Sequence, residues 1–265
     1  MIVLLPGKLE IAYEESGSGP PLLFIHGWPH DRTLWSGQLS GLSTHARCIA
    51  PDLRGFGGST VAGPYSMAQY ADDLVALLDS LGIDRAVVCG LSMGGYVAMA
   101  LLRQHRDRVR ALILTSTRAT ADTPEAREKR MRLISFVREN GVEALAARQL
   151  RAMVGETTFT SRPELLESLR RLMAAAPLDG VAGALQAMAD RPDSTQLLST
   201  IDLPTLVIGG AKDTFTPPAE LGQLAAAIPN ARLELIATAG HVCAFERPAA
   251  FDHLVAEFLE TLMLS

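Results

Sequence analysis

Ser92 sits in Gly90-Leu91-Ser92-Met93-Gly94, a G-x-S-x-G pentapeptide. A β-branched run, Val87-Val88, precedes it, and the helix-like stretch "MGGYVAMALL" follows at once. A chain that passes directly from strand to helix forces the apex residue into strained backbone geometry. Side chains two residues to either side would collide there, so glycine is needed at 90 and 94. The gain is a serine Oγ held near a helix N-terminus, where amides can face developing negative charge. The strand before and the helix after distinguish such a nucleophile from a spare serine in a glycine-rich turn.

A serine hydroxyl attacks only when a base takes its proton. His241 lies in "ATAGHVCAFERP", after the apolar run "RLELI" and before a helix predicted over 248–262. Loops at the carboxyl ends of strands are where sites form in open α/β sheets. Asp213 in "TLVIGGAKDTFTPP" follows another such run. Its carboxylate would fix the imidazole tautomer and stabilise the imidazolium. Asp202 and Asp252 are weaker candidates, since one precedes the run and the other falls in the last helix. The order Ser92, Asp213, His241 is the one this architecture uses. Of the other histidines, His30, His45, His105 and His253 read as surface residues, and His26 as a residue that fixes its loop.

The tetrahedral oxygen also needs amide donors, each worth about 3 kcal/mol of barrier. One is the residue after the nucleophile, Met93. The other belongs to the loop after "LLFI", which reads "HGWPHDRTLW". There the Trp28 amide is the natural donor, because Gly27 permits close approach and Pro29 has no N–H.

These positions need a scaffold, and the apolar pattern supplies one. "LLFI" (22–25), "RCIA" (47–50), "AVVC" (86–89), "ALILT" (111–115), "TLVIG" (205–209) and "RLELI" (232–236) are continuous rather than alternating. Such runs predict strands buried on both faces, hence a mostly parallel sheet. Helical segments lie between them. In "SMAQYADDLVALLDSLG" Tyr70, Leu74, Leu77, Leu78 and Leu81 share a face, with Ser66 as cap and Gly82 as terminator. The fold class is therefore α/β, a mostly parallel central sheet flanked by helices. From 120 to 198 no strand is legible. Four amphipathic segments, 123–140, 142–154, 162–177 and 180–190, predict a helical cap inserted between core segments 1–119 and 199–265. The charge run Arg127–Arg132 reads as a solvated helix face.

The 265 residues are 48% hydrophobic and 20% charged, with a net charge of −5. That balance gives no reason to expect nucleic acid or an anionic membrane as partner. Three scattered cysteines, Cys48, Cys89 and Cys243, form no metal-ligand pattern and point to a reducing compartment. No signal peptide or membrane span is legible, so a cytoplasmic protein is expected, with no cofactor and no metal. A monomer or weak homodimer is the expected state.

With these motifs in order, "HGWP" (26–29), "PDLRGFGGS" (51–59), "GLSMGG" (90–95), "GAKDTFTPP" (210–218) and "AGHVCAFERP" (239–248), the chain resembles the α/β-hydrolase fold enzymes. The resemblance implies Ser92, Asp213 and His241 as a catalytic triad. It implies a structural role for Asp52 and Arg54, and places the helical insertion as a cap. Within the family it is similar to small bacterial carboxylesterases, thermophilic planctomycete ones among them, and to 3-oxoadipate enol-lactonases. The "HGWP" loop also resembles that of aryl esterases with perhydrolase side activity. Cys243 departs from the proline or small apolar residue common after the histidine, and reads as a small buried hydrophobe. The expected substrate is a short-chain carboxylic ester. Relatives with aspartate at the elbow, the dehalogenases and epoxide hydrolases, are excluded by Ser92. The alternatives are a lactonase for a dianion, which would want a basic pocket residue among Arg127, Arg130, Arg132, Arg138 and Arg148, and a slow-turnover ligand receptor.

Overall fold

The computed structural model describes residues 1–263. Leu264 and Ser265, the end of the predicted core segment 199–265, lie outside the described residues. Among the described residues, eight strands form one sheet: β1 (Ile2–Leu5), β2 (Leu9–Ser16), β3 (Pro21–Ile25), β4 (Arg47–Pro51), β5 (Ala86–Leu91), β6 (Val109–Thr115), β7 (Thr205–Gly210) and β8 (Ala231–Ile236). Their order is β1-β2-β4-β3-β5-β6-β7-β8. The pairs β1–β2 and β2–β4 are antiparallel, and the remaining pairs are parallel.

Successive side chains of a strand point to opposite faces, and here each face meets its own core. Leu23, Ile25, Val88, Leu112, Leu114 and Val207 join one cluster with Tyr70, Leu74 and Val97. Leu22, Phe24, Val87, Cys89, Ile113 and Ile208 join the other with Trp35, Phe251 and Val255. This double burial is why the five strands β3–β7 read as continuous apolar runs, whereas β8, also expected to be buried on both faces, is the edge strand of the sheet, where only Ile236 is buried and Leu235 is 41% exposed. β1 and β2 were not legible that way. Ile2 and Leu4 of β1 are exposed, and β2 carries Glu10, Glu14 and Glu15 on a partly solvated ribbon. A half-exposed antiparallel pair lacks the two-sided apolar signature.

The helices are α1 (Ser36–Gly41), α2 (Met67–Ser80), α3 (Met93–Gln104), α4 (Pro124–Met153), α5 (Glu156–Ser161), α6 (Pro163–Ala174), α7 (Leu178–Ala189), α8 (Thr195–Leu198), α9 (Pro218–Ala226), α10 (Cys243–Glu246) and α11 (Pro248–Met263). α2 begins as its sequence predicts. The Ser66 hydroxyl accepts from the Gln69 amide at 3.0 Å, and Gly82 past its end has a φ of +65°. No single helix among the described residues is long and apolar enough to cross a membrane.

Five helices, α4–α8, separate β6 from β7. The first two predicted segments run on as α4, broken at Gly141, whose φ of 82° and ψ of 167° are not helical. The first half packs Val137 on the α2–α3 side, and the second half reaches both cores, with Leu145 on the α2–α3 side and Ala146 and Met153 on the α11 side. α5 and α8, too short to show a helical period, are additions to the sequence reading.

The two chain crossings into the insertion are tied together by charge. Asp122, nearly buried, accepts from Arg130 and, at 2.6 Å, from Arg191 Nη1. Arg191 Nη2 donates to the Thr120 carbonyl at 2.8 Å, and its guanidinium lies 4.2 Å above the Tyr96 ring. The backbone adds Ser194 N–H to Ala119 O at 2.8 Å. So Arg130, placed by its sequence on a solvated face, is half-buried in an ion pair, while Arg127, Glu128, Lys129 and Arg132 are exposed. Elsewhere α7 meets the 54–58 turn main chain to main chain. A Cβ at Gly180 would overlap the Gly55 carbonyl. We expect Gly180→Ala to destabilise the fold by about 1–3 kcal/mol, read as a lower midpoint in urea unfolding at unchanged slope.

Candidate active site

β5 ends at Leu91, α3 begins at Met93, and Ser92 alone makes the turn, with φ 55° and ψ −110°. Serine rarely adopts a positive φ, so the conformation must be held by its surroundings. Ser92 N–H donates to the Thr115 carbonyl at 2.9 Å. Thr117 Oγ1 donates to the Ser92 carbonyl at 2.8 Å. The flanking glycines make room: a Cβ at Gly90 would overlap the Gly94 carbonyl, and one at Gly94 the Ile25 carbonyl. The end of β3 is thus pressed against the start of α3.

That contact brings the 26–30 loop to Ser92. A Cβ at Gly27 would stand 3.4 Å from Ser92 Cβ. His26 locks the loop: Nδ1–H donates to the Gly27 carbonyl at 2.9 Å, and Nε2 accepts from the Leu53 amide at 3.0 Å. With both nitrogens used and burial pushing its pKa down, His26 is a neutral brace. The Trp28 indole donates to the Val181 carbonyl of α7 at 3.1 Å, so the loop also carries the insertion. The Trp28–Pro29 peptide is cis. Among the described residues, neither the Trp28 nor the Met93 amide has a backbone acceptor outside its own helix or strand. Met93 is also the first residue of α3, where amides have no intrahelical acceptor.

Beyond β7 and β8 lie the other two sequence candidates. His241 Nδ1–H donates to Asp213 Oδ2 at 2.9 Å, which leaves Nε2 as the acceptor. Asp213 Oδ1 accepts from the amides of Phe215 at 2.8 Å and Thr216 at 3.0 Å. Burial pushes the Asp213 carboxyl up, but the electrostatic pull of His241, its hydrogen bond and the two amides together outweigh that and hold it below the ordinary range. The Phe215 ring lies 5.1 Å from the His241 ring.

The end of β6 connects the two halves. Thr115 and Thr117 bind the Ser92 backbone, while the Ser116 carbonyl between them accepts from Thr216 Oγ1 at 3.2 Å. Among the described residues Ser92 Oγ makes no hydrogen bond to His241. Its link to the Asp213–His241 pair runs through this segment. Catalytic hydrogen bonds are often long in the absence of substrate and tighten on binding.

The remaining candidates fall as follows. Asp202 pairs with Arg106 at the surface, and Asp252 accepts from Gln38 at 3.0 Å, with its carboxyl pushed up to about 6 by burial. Asp52 holds Arg32 and the Gly58 amide, and Arg54 grips Asp73 with two bonds of 2.5 and 2.6 Å. Cys243 is fully buried, and burial pushes its thiol up to about 12. Among the described residues no three His, Cys, Asp or Glu side chains gather as a metal site would require.

Two features escaped the sequence. Glu246, in a motif already singled out, is fully buried beside His241, and nothing in its spacing announces that. His30, expected on the surface, is 1% exposed, and among the described residues neither ring nitrogen has a hydrogen-bond partner. The tight turn closed by His30 N–H to Gly27 O at 3.0 Å folds it inward. Burial, with His26 and His241 nearby, pushes its pKa down from 6.5 to about 3. The unfolded chain therefore takes up this proton near pH 6.5 and the folded chain only near 3. Stability should be unaffected above 6.5 and fall as pH drops towards 3. In urea titrations across that window, His30→Leu should reduce proton uptake on unfolding by about one. An unchanged pH slope would contradict the buried neutral state.

A family model described as alpha/beta hydrolase fold matches residues 20–248. A thermophilic esterase from Thermogutta terrifontis, solved with malate bound, is 42% identical with a TM-score of 0.95, covering 99% of this chain and 98% of its own. The enol-lactonase from Burkholderia xenovorans is 31% identical with a TM-score of 0.90, covering 98% and 100%. The 3-oxoadipate enol-lactonase 2 of Acinetobacter baylyi is 32% identical over 89% of this chain and 87% of its own.

Proposed function

The chain belongs to the α/β hydrolase fold family, and from that premise we propose that it is a carboxylesterase, a serine hydrolase of short-chain carboxylic esters. The observation that carries this reading is the buried Asp213–His241 pair beyond β7 and β8, joined through the end of β6 to a serine at a strained strand-to-helix apex. Ser92 Oγ attacks the ester carbonyl as His241 Nε2 takes its proton. The Trp28 and Met93 amides receive the oxyanion. The imidazolium, stabilised by Asp213, returns the proton to the departing alcohol and leaves Ser92 acylated. Water, deprotonated by His241, then attacks the acyl carbon, and the acid departs as Ser92 regains its proton. Every step uses side chains, amides and water.

The lactonase reading has support from two relatives, and its chemistry at the acyl carbon is the same. Charge favours the ester. A dianion would want an inward cation, but Arg127 pairs with Asp190, Arg130 with Asp122 and Arg132 with Glu128. Arg138 and Arg148 are exposed. Arg191, the buried arginine of the insertion, shares Asp122 with Arg130 and stacks on the Tyr96 ring.

Steady-state hydrolysis of p-nitrophenyl acetate, butyrate, octanoate and palmitate, beside 3-oxoadipate enol-lactone, tests this. The short esters should turn over fastest, and kcat should collapse in Ser92→Ala. Asp213→Asn should lose about 10⁴-fold, because the imidazole adopts the wrong tautomer. A kcat/KM far higher on the lactone would transfer the assignment to a lactonase. Undiminished activity in Ser92→Ala would end both readings.

A further inference from the structure

Glu246 is 0% exposed, and each carboxylate oxygen accepts one amide. Oε1 takes the Gly240 N–H at 2.5 Å, and Oε2 takes the Gly155 N–H at 3.0 Å. Gly240 immediately precedes His241. Gly155 belongs to the insertion and caps α5. A third bond runs from the Val242 N–H, the residue after His241, to the carbonyl of Met153 at the end of α4 (3.0 Å). Arg162 at the start of α6 donates to the Glu246 carbonyl at 2.9 Å.

His241 is therefore gripped on both sides of its own peptide. The amide before it is held by Glu246 and the amide after it by the insertion. The main chains of the two segments also touch: a Cβ at Gly240 would stand 2.6 Å from Gly155 N, and one at Gly155 would stand 2.5 Å from Thr238 O. Asp213 fixes the His241 ring but reaches only Nδ1. That bond leaves free how far Nε2 stands from Ser92, which also depends on the backbone at 240–242. A buried carboxylate needs such full satisfaction to be tolerated.

We propose that Glu246 is a positioning residue that couples the seating of the helical insertion to the placement of His241 against Ser92. The proposal rests on the hydrolase reading of that site. Geometry of this kind governs rate more than binding, since a displacement of about 1 Å at a reacting group costs on the order of 10²-fold.

Glu246→Gln tests it with little change in volume. The amide keeps one acceptor and turns an N–H₂ towards an N–H, so one of the two bonds is lost. Three quantities are read with a p-nitrophenyl ester and a fluorophosphonate probe: kcat, KM, and the rate of Ser92 labelling. Urea unfolding reports the folded fraction, and proton NMR follows the downfield His241 Nδ1–H resonance. Expected are a fall in kcat of about ten- to a hundredfold, KM within about twofold, slower labelling, and a displaced Nδ1–H signal. Arg162→Met, an exposed position, should act in the same direction more weakly, and it decides the matter if Glu246→Gln does not fold. Folded Glu246→Gln with wild-type kcat and labelling rate would overturn the coupling alone. Failure of the wild-type protein to be labelled at Ser92 would overturn the hydrolase reading and the coupling with it.

Discussion

A φ of 55° at Ser92 costs a serine on the order of 1–3 kcal/mol, and it persists only where its surroundings over-determine it. Here they do. The Thr115 carbonyl takes the Ser92 amide, Thr117 takes the Ser92 carbonyl, and the Ile25 backbone fills the space that a side chain at Gly94 would need. The three strands β3, β5 and β6 must therefore end at one level for the turn to exist. Their parallel registers arrange that: Ile25 pairs with Gly90, and Leu91 with Thr115. The apex serine, the 26–30 loop and the β6 terminus are consequences of one packed edge.

The electrostatics of this edge separate groups that stay neutral from one that stays charged. His26 and His30 are buried without carboxylate hydrogen bonds, and burial lowers their pKa. They fill space and brace the loop without competing for a proton. Asp213 is also buried, but two amides and His241 compensate its charge. A histidine beside an unprotonated carboxylate can accept a proton at Nε2, whereas one in an apolar cavity resists it. The chain places both kinds of histidine within one site and assigns them by their partners.

Among the contacts that attach the insertion are the Asp122–Arg130–Arg191 group at its two crossings, the Trp28 indole to α7, and the Glu246 carboxylate to the start of α5. The last two join it to the loops that carry Trp28 and His241. A helical layer held this way shares its position with the groups beneath it, so its packing and the chemistry are one structural problem.

Much of this was written locally in the chain. The apolar runs of β3–β7, the capped helix α2 and the glycines around Ser92 are patterns of neighbouring residues, and local sterics and side-chain burial make them readable. The helical character of 120–198 was equally plain from its period. Tertiary structure decided the rest, because each remaining feature depends on partners far along the chain. β1 and β2 have no two-sided apolar pattern. The halves of α4 part at Gly141, and the second half spans both cores. His30 turns inward, although its loop is polar in sequence. Arg130 leaves the solvated face to meet Asp122 and, through it, Arg191. Glu246 finds amides at positions 155 and 240, one of them ninety-one residues away. Burial and hydrogen-bond partnership at such separations are properties of the assembled packing, and no short stretch of sequence encodes them.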